Sequence, residues 1–230
     1  MKKWLLSLLV LTALGAAFWI FWPNQELSEV QPADNEHLSN QLAAEEEKAS
    51  EEKKPEEKAV DNKEAFGALA LKIISRPVKV SAPLSEADRK RAEEKIKEIS
   101  DLIRKDYNYT YPWYDLGAYR RVIGDFEGAA EAWNFVPLIR PDDFIAYHNL
   151  GDLYGFYVKD YPKSEENYFK SIRNNQANIQ AYLDLAVIYG SVYKEKSDQV
   201  ESILLSGLEA NPGNAGLQSA LDNYRSNSSK

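Results

Sequence analysis

"WYDLGAYRRVIGDFEGAAEAW", residues 113–133, places Trp113, Leu116 and Gly117 in sequence and follows them with small residues and a second Trp. Thirty-four residues after Trp113, "YHNLGDLYGFY" (147–157) sets Tyr147, Leu150 and Gly151 in the same slots. A third copy, "YLDLAVIYG" (182–190), substitutes Tyr182, Leu185 and Ala186. Residues three and four apart share one helix face, so each copy is half of a helix with one large and one small contact. The following segments carry matching stripes: Ala129, Trp133 and Val136; Ser164, Tyr168 and Ser171; Val200, Leu204 and Gly207. Asp125-Phe126 and Asp160-Tyr161 mark the turns within the first two pairs, and Pro141 and Pro212 close the first and third. A small residue at 117, 151 or 186 admits a partner helix closely, and Trp133 or Tyr168 fills the volume beside it.

These residues resemble the tetratricopeptide repeat family, whose 34-residue helix–turn–helix unit carries a W…L-G…Y…A…F…P pattern. The resemblance covers residues 110–213 as three units. It implies an all-α fold, a short helical solenoid of three helix pairs between flanking capping helices. One such pair cannot bury its apolar face alone, and stacking makes the core continuous. The units depart from the pattern in several places. Arg120 stands where Tyr is usual, Pro137 falls inside a helix that it should kink or shorten, and Gln176 replaces the closing Pro of the second unit. The second and third units also hold about one and two extra residues near their inter-helix turns.

Both ends of the repeat array have capping candidates. Ser85 and Asp88 form a capping-box-like start for a helix with Ala92, Ile96, Ile99, Leu102 and Ile103 on one side. After Pro212, Asn214 is placed to cap a helix with Leu217, Ala220, Leu221 and Tyr224 on a stripe, in a segment (214–230) that ends in a fraying tail. Residues 63–109 are read as a connecting segment plus the first cap. Within them "AFGALALKIISRPVKV" (65–80) suggests a short helix, then an extended piece through Arg76-Pro77, packed on the domain.

The N-terminal part has different physics. Trp4 to Trp22 is a run of nineteen residues without a charge, preceded by Lys2 and Lys3. A helix of that length spans roughly the 30 Å hydrocarbon layer. The next basic residue is Lys48, so the charge asymmetry predicts a single-pass signal-anchor over residues 1–22, with the N-terminus cytoplasmic and the remainder extracytoplasmic. The competing reading is a signal peptide cleaved near Ala13-Leu14-Gly15, giving a secreted or periplasmic protein; against it, "AFWIFW" prolongs the apolar run. Residues 23–62 hold twelve acidic side chains against four Lys, which accounts for the net charge of −8 of the whole chain. That composition reads as a disordered acidic linker, with Glu/Lys pairs of coiled-coil-like spacing over Asn40–Lys54 that Pro55 would stop.

The composition also bounds function. There is no Cys, and His37 and His148 are the only histidines. No basic stripe supports nucleic-acid binding, no nucleotide, nucleophile-elbow or zinc-protease motif is present, and no cofactor, metal or small-molecule substrate is implied. The chain reads as a non-enzyme. Its partners are then proteins or peptides, plus the lipid bilayer through residues 4–22.

The resemblance implies that the first helix of each pair lines a concave groove for a peptide. By alignment the groove holds Tyr111, Tyr114, Arg121, Val122, Ile145, His148, Asn149, Asp152, Phe156, Leu183 and Val187. Tyr, Arg and other large side chains anchor interfaces well; the bland reading is that several of them pack between repeats. Some members grip a chaperone's C-terminal carboxylate with Lys, Asn and Arg. Asn149 matches one slot, but Tyr114, apolar residues such as Ile145, and Asp184 occupy the cationic ones, so that partner class is rejected. The expected function is a membrane-anchored scaffold docking segments of an envelope protein. The alternative is a structural component that self-associates within a membrane complex.

Overall fold

The computed structural model describes residues 59–228, with side chains described over 63–227. Among them the regular structure is entirely helical. The anchor expected at 1–22 and most of the linker expected at 23–62 lie outside the described residues. No described helix is long and apolar enough to cross a membrane.

Helix α1 (Ala59–Ile74) starts four residues before the expected end of the linker and is longer than the short helix the sequence suggested. It buries Ala70, Ile73 and Ile74. Extended residues then cross the turn at residues 123–125, where the Ser81 and Ala82 N–H groups both donate to Ile123 O (2.9 and 3.0 Å). The Ser81 hydroxyl donates to Gly124 O at 2.8 Å. Gly124 makes this possible: its φ of +82° is a left-handed conformation, and a Cβ there would collide with the Ser81 side chain.

Helix α2 (Glu86–Lys105) begins as its sequence indicates, with Ser85 Oγ accepting from Asp88 N at 3.1 Å. Ala92, Ile96, Ile99 and Ile103 are buried, but Leu102 is 49% exposed. The correction is one of period: 92, 96, 99 and 103 alternate by four and three residues, and position 102 falls off that stripe.

The three helix pairs follow as α3 (Tyr111–Val122) with α4 (Phe126–Ile139), α5 (Phe144–Asp152) with α6 (Tyr161–Asn174), and α7 (Ile179–Ser191) with α8 (Val200–Ala210). Helix α9 (Ala215–Ser228) covers the last pair, and Asn214 Oδ1 accepts from Leu217 N at 3.0 Å. Asp125, Asp143 and Asp160 cap α4, α5 and α6 through backbone N–H groups three residues on.

Pro137 does not act as expected. Helix α4 runs through it to Ile139 and is 14 residues long, the same as α6. The proline lies in the final turn, and the Arg140 N–H still closes on Val136 O at 2.8 Å.

The extra residues have a structural home. The α5 axis continues as a π-helical segment, Leu153–Val158, which widens the turn and absorbs one residue. It ends on Lys159 in the left-handed region at φ 64°. In the third pair a 3₁₀ segment, Lys194–Gln199, takes up the longer connection.

The helix pairs pack on their sequence neighbours, as stacked repeats require, while α1 also packs on α4, Phe66 meeting Phe135 edge-on at 6.5 Å. One core joins α1 to α4, centred on Ile96, Ile99, Ile103, Trp113 and Phe135, with Trp113 stacked on Phe135 at 4.2 Å between ring centroids. Ala129, Trp133, Leu150 and Leu153 seal the first pair to the second. Tyr168, Ile172, Leu185, Ile188, Leu204, Leu217 and Leu221 belong to the core of the far end. The small residues sit where the large ones press. A Cβ on Gly117 would lie 2.7 Å from Trp133 Cδ1, and one on Gly151 would lie 2.8 Å from Tyr168 Cδ1. In the third pair the roles reverse, since Gly207 of α8 faces Tyr182 of α7.

Arg120, in the slot where Tyr is usual, is completely buried. Its Nη1 donates to Asp125 Oδ2 at 2.5 Å and its Nη2 to Arg76 O at 3.0 Å. Arg76 also contacts Asp125 through Nε at 3.4 Å. Arg120 and Asp125 thereby form an ion pair that fastens the post-α1 segment to the first helix pair.

Candidate functional site

Helices α3, α5 and α7 are the first members of their pairs, and their outward side chains make one face. Tyr111 stands at the α3 start, 66% exposed. It contacts Tyr109 (5.7 Å) and Tyr114 (5.9 Å) to form an aromatic row. Tyr114 is half-buried and its hydroxyl donates to the Asp143 carboxylate, the group that also caps α5. Burial first, then that carboxylate, push the Tyr114 phenol well above its ordinary range. Tyr114 therefore ties the first repeat to the second besides contributing to the face.

Farther along α3, the Arg121 guanidinium lies over the rings of Trp133 (5.8 Å) and Tyr157 (5.1 Å), a favourable cation–π placement. Val122 and Ile145 are exposed, whereas Asn149 and Val187 are half-buried. Phe156 and Leu183 pack against the far-end core. The expected groove residues therefore divide into an aromatic row, a charged centre, and side chains committed largely to packing.

The charged centre is built by repeat geometry. His148 and Asp152 are one helical turn apart on α5, and Asp184 comes from α7. Nε2 of His148 lies 3.6 Å from Asp152 Oδ1 and 3.3 Å from Asp184 Oδ2. All three side chains are only 16–24% exposed. Each is oriented by a second residue. Asn178 Nδ2 lies 3.2 Å from His148 Nδ1 and 2.9 Å from Ser171 Oγ, and that hydroxyl donates to Phe144 O at 2.8 Å. Tyr168 Oη donates to Asp152 Oδ1 at 2.7 Å, and Gln180 Nε2 donates to Asp184 Oδ1 at 2.8 Å.

Electrostatics follow from that crowding. Burial works against the His148 imidazolium, but the neighbouring Asp184 and Asp152 carboxylates outweigh it and raise the pKa. Burial raises Asp152, and the Asp184 charge adds to it, against the opposing pull of His148, Tyr168 and Arg121. Two carboxylates converging on one imidazole in a half-buried site call for a positive charge. His148 is therefore part of a three-residue constellation. The 148/152 spacing was readable as two side chains on one face. The closure by Asp184, Asn178, Tyr168 and Gln180 depends on how α5, α6 and α7 stack.

No family model matches the chain, and no curated protein matches it. Among solved structures it is similar to one titled "Crystal structure of MamA", at 18% identity and a TM-score of 0.47, covering 63% of this chain and 85% of that one. No residue role is transferred from that likeness.

Proposed function

We propose that the chain is a protein-interaction module that docks a segment of another envelope protein on the face of α3, α5 and α7. In this reading residues 4–22 hold it in a membrane, and the acidic segment of 23–62 carries the repeats on the extracytoplasmic side. The observation that carries the reading is the face itself. Tyr109, Tyr111, Val122 and Ile145 are exposed on an array whose cores are closed by α1, α2 and α9, and α5 and α7 also carry a half-buried charged centre. Rigid aromatic side chains with polar tips supply contact area at low entropic cost. Nothing in the fold's own packing uses the outer part of Tyr111.

The test is co-purification of the full-length protein from its native membranes, comparing Tyr111→Glu and Val122→Glu with Asn134→Glu on exposed α4 surface. Tyr111 and Val122 suit the purpose better than Tyr114 and Phe156, whose loss would disturb packing. Loss of a partner in the first two variants but not in the third supports docking on this face. Equal capture by all three refutes it.

A further inference from the structure

We infer that His148, Asp152 and Asp184 form a site for a divalent transition-metal ion that staples the second repeat to the third. The three candidate ligand atoms, one nitrogen and two carboxylate oxygens, lie within 4.8 Å of one another, as does no other group of three such residues in the described part of the chain.

The spacing fits a metal better than direct hydrogen bonding. Charge-assisted N–H···O⁻ bonds close to about 2.7–2.9 Å. The observed Nε2···O separations are 3.3 and 3.6 Å. A tetrahedral ion with bonds of about 2.0–2.2 Å separates its ligands by roughly 3.3–3.6 Å, which matches both. The carboxylate–carboxylate edge is at most 4.8 Å, within reach of closure by side-chain rotation. One imidazole and two carboxylates suit zinc, cobalt or manganese, with a fourth position left for water.

The surroundings provide what metal ligands require beyond the first contacts. Protein ligands are held in orientation by outer hydrogen bonds, and all three have one here: Asn178 on His148 Nδ1, Tyr168 on Asp152, and Gln180 on the Asp184 oxygen turned away from the imidazole. With Nε2 on an ion, Nδ1 must carry the proton. Rotation of the Asn178 amide then presents its oxygen to Nδ1–H, at the cost of its present bond to Ser171 Oγ, whose own proton stays on Phe144 O. An ion would also neutralise the charge of the two carboxylates that converge on the imidazole. Its ligands come from α5 and α7, so it would fix the spacing of two first helices at the centre of the face. The inference stands apart from the docking reading, because an ion binds here without a partner.

The experiment is zinc titration of the full-length, chelator-stripped protein in detergent by calorimetry, with cobalt(II) absorption as a second readout. Expected is one ion per chain, visible-band cobalt absorption of a nitrogen-containing low-coordinate site, and a higher melting temperature with zinc. His148→Ala and Asp184→Asn should each weaken binding at least tenfold and abolish the zinc-dependent rise. Gln180→Ala, which keeps every ligand, should weaken it by roughly tenfold or more and serves if a ligand variant fails to fold. Absence of stoichiometric uptake would overturn the site. So would equal uptake by wild type and all three variants, which would place zinc on His37 or the acidic residues of 23–62.

Discussion

Gly117→Ala isolates the physical reason for the repeated Leu-Gly pair. The new methyl carbon would stand 2.7 Å from Trp133 Cδ1 and closer still to Nε1 and Cε2. Restoring ordinary contact requires the indole to retreat by roughly 1 Å, an overpacking that typically costs about 1–3 kcal/mol. Retreat is hard, because Trp133 Nε1 donates to Tyr114 O at 3.2 Å and the ring is enclosed with Ala129, Leu150 and Leu153. Alanine's better helix propensity returns about 0.8–1.0 kcal/mol. The net effect lies near the upper part of the difference, about 1–2 kcal/mol of destabilisation. For a domain of this size that lowers the melting temperature by roughly 2–8 °C. Gly67→Ala in α1 is the control, since its Cβ would meet only Tyr107 Cε1 at an ordinary 3.6 Å; it should raise stability by up to about 1 kcal/mol. Thermal melts of the full-length protein, followed by circular dichroism in one detergent, measure both. A Gly117→Ala protein as stable as wild type, beside a Gly67→Ala protein that behaves as stated, would refute the close-packing argument.

Other outcomes follow from single features of the structure. Asp125→Ala removes the α4 cap and leaves the buried Arg120 charge without its carboxylate; urea unfolding should show a loss of about 3–5 kcal/mol, and a loss under 1 kcal/mol would contradict the pairing. Burial pushes the Tyr182 phenol up to about 12, and burial followed by Glu165 pushes Tyr189 up as well. Because these folded pKa values exceed the unfolded value of about 10, their stabilisation is complete below pH 10 and is lost as pH rises towards 12. Absorbance at 295 nm should resolve a late-titrating fraction that accompanies unfolding, whereas titration of all 14 tyrosines near pH 10 in a folded chain would contradict it. Since the chain has no Cys, Asn134→Cys provides a single thiol on exposed α4 surface. A membrane-impermeant maleimide should label it in intact cells, and labelling only after lysis would reverse the proposed orientation.

Legibility from sequence tracked locality. The Leu-Gly and aromatic stripes, the Asp and Ser caps, and the closing α9 stripe all depend on residues within a few turns, and the structure has each of them. Leu102 was misplaced because an apolar residue beside a stripe looks like part of it. Pro137 was overweighted because its cost depends on the distance to a helix end that the sequence did not mark. The extra residue of the second repeat was visible as a count, but a π-helical turn and a longer loop satisfy the same count. Arg120 read as a departure from a pattern. Its role needed Asp125 and the backbone of Arg76, 44 residues away. For the same reason His148 looked solitary until stacking brought in Asp184 from the next repeat.

The proposed function turns on which side of the stack meets a partner. Site-specific photo-crosslinking in the native membrane addresses it directly, with a benzophenone side chain placed in turn at Tyr111 and Val122, and at Asn134 and Glu166 on the second helices of their pairs. Positions 111 and 122 should both give adducts with the same distinct protein, and 134 and 166 should not. Adducts to that protein from 134 and 166, with none from 111 and 122, would contradict it.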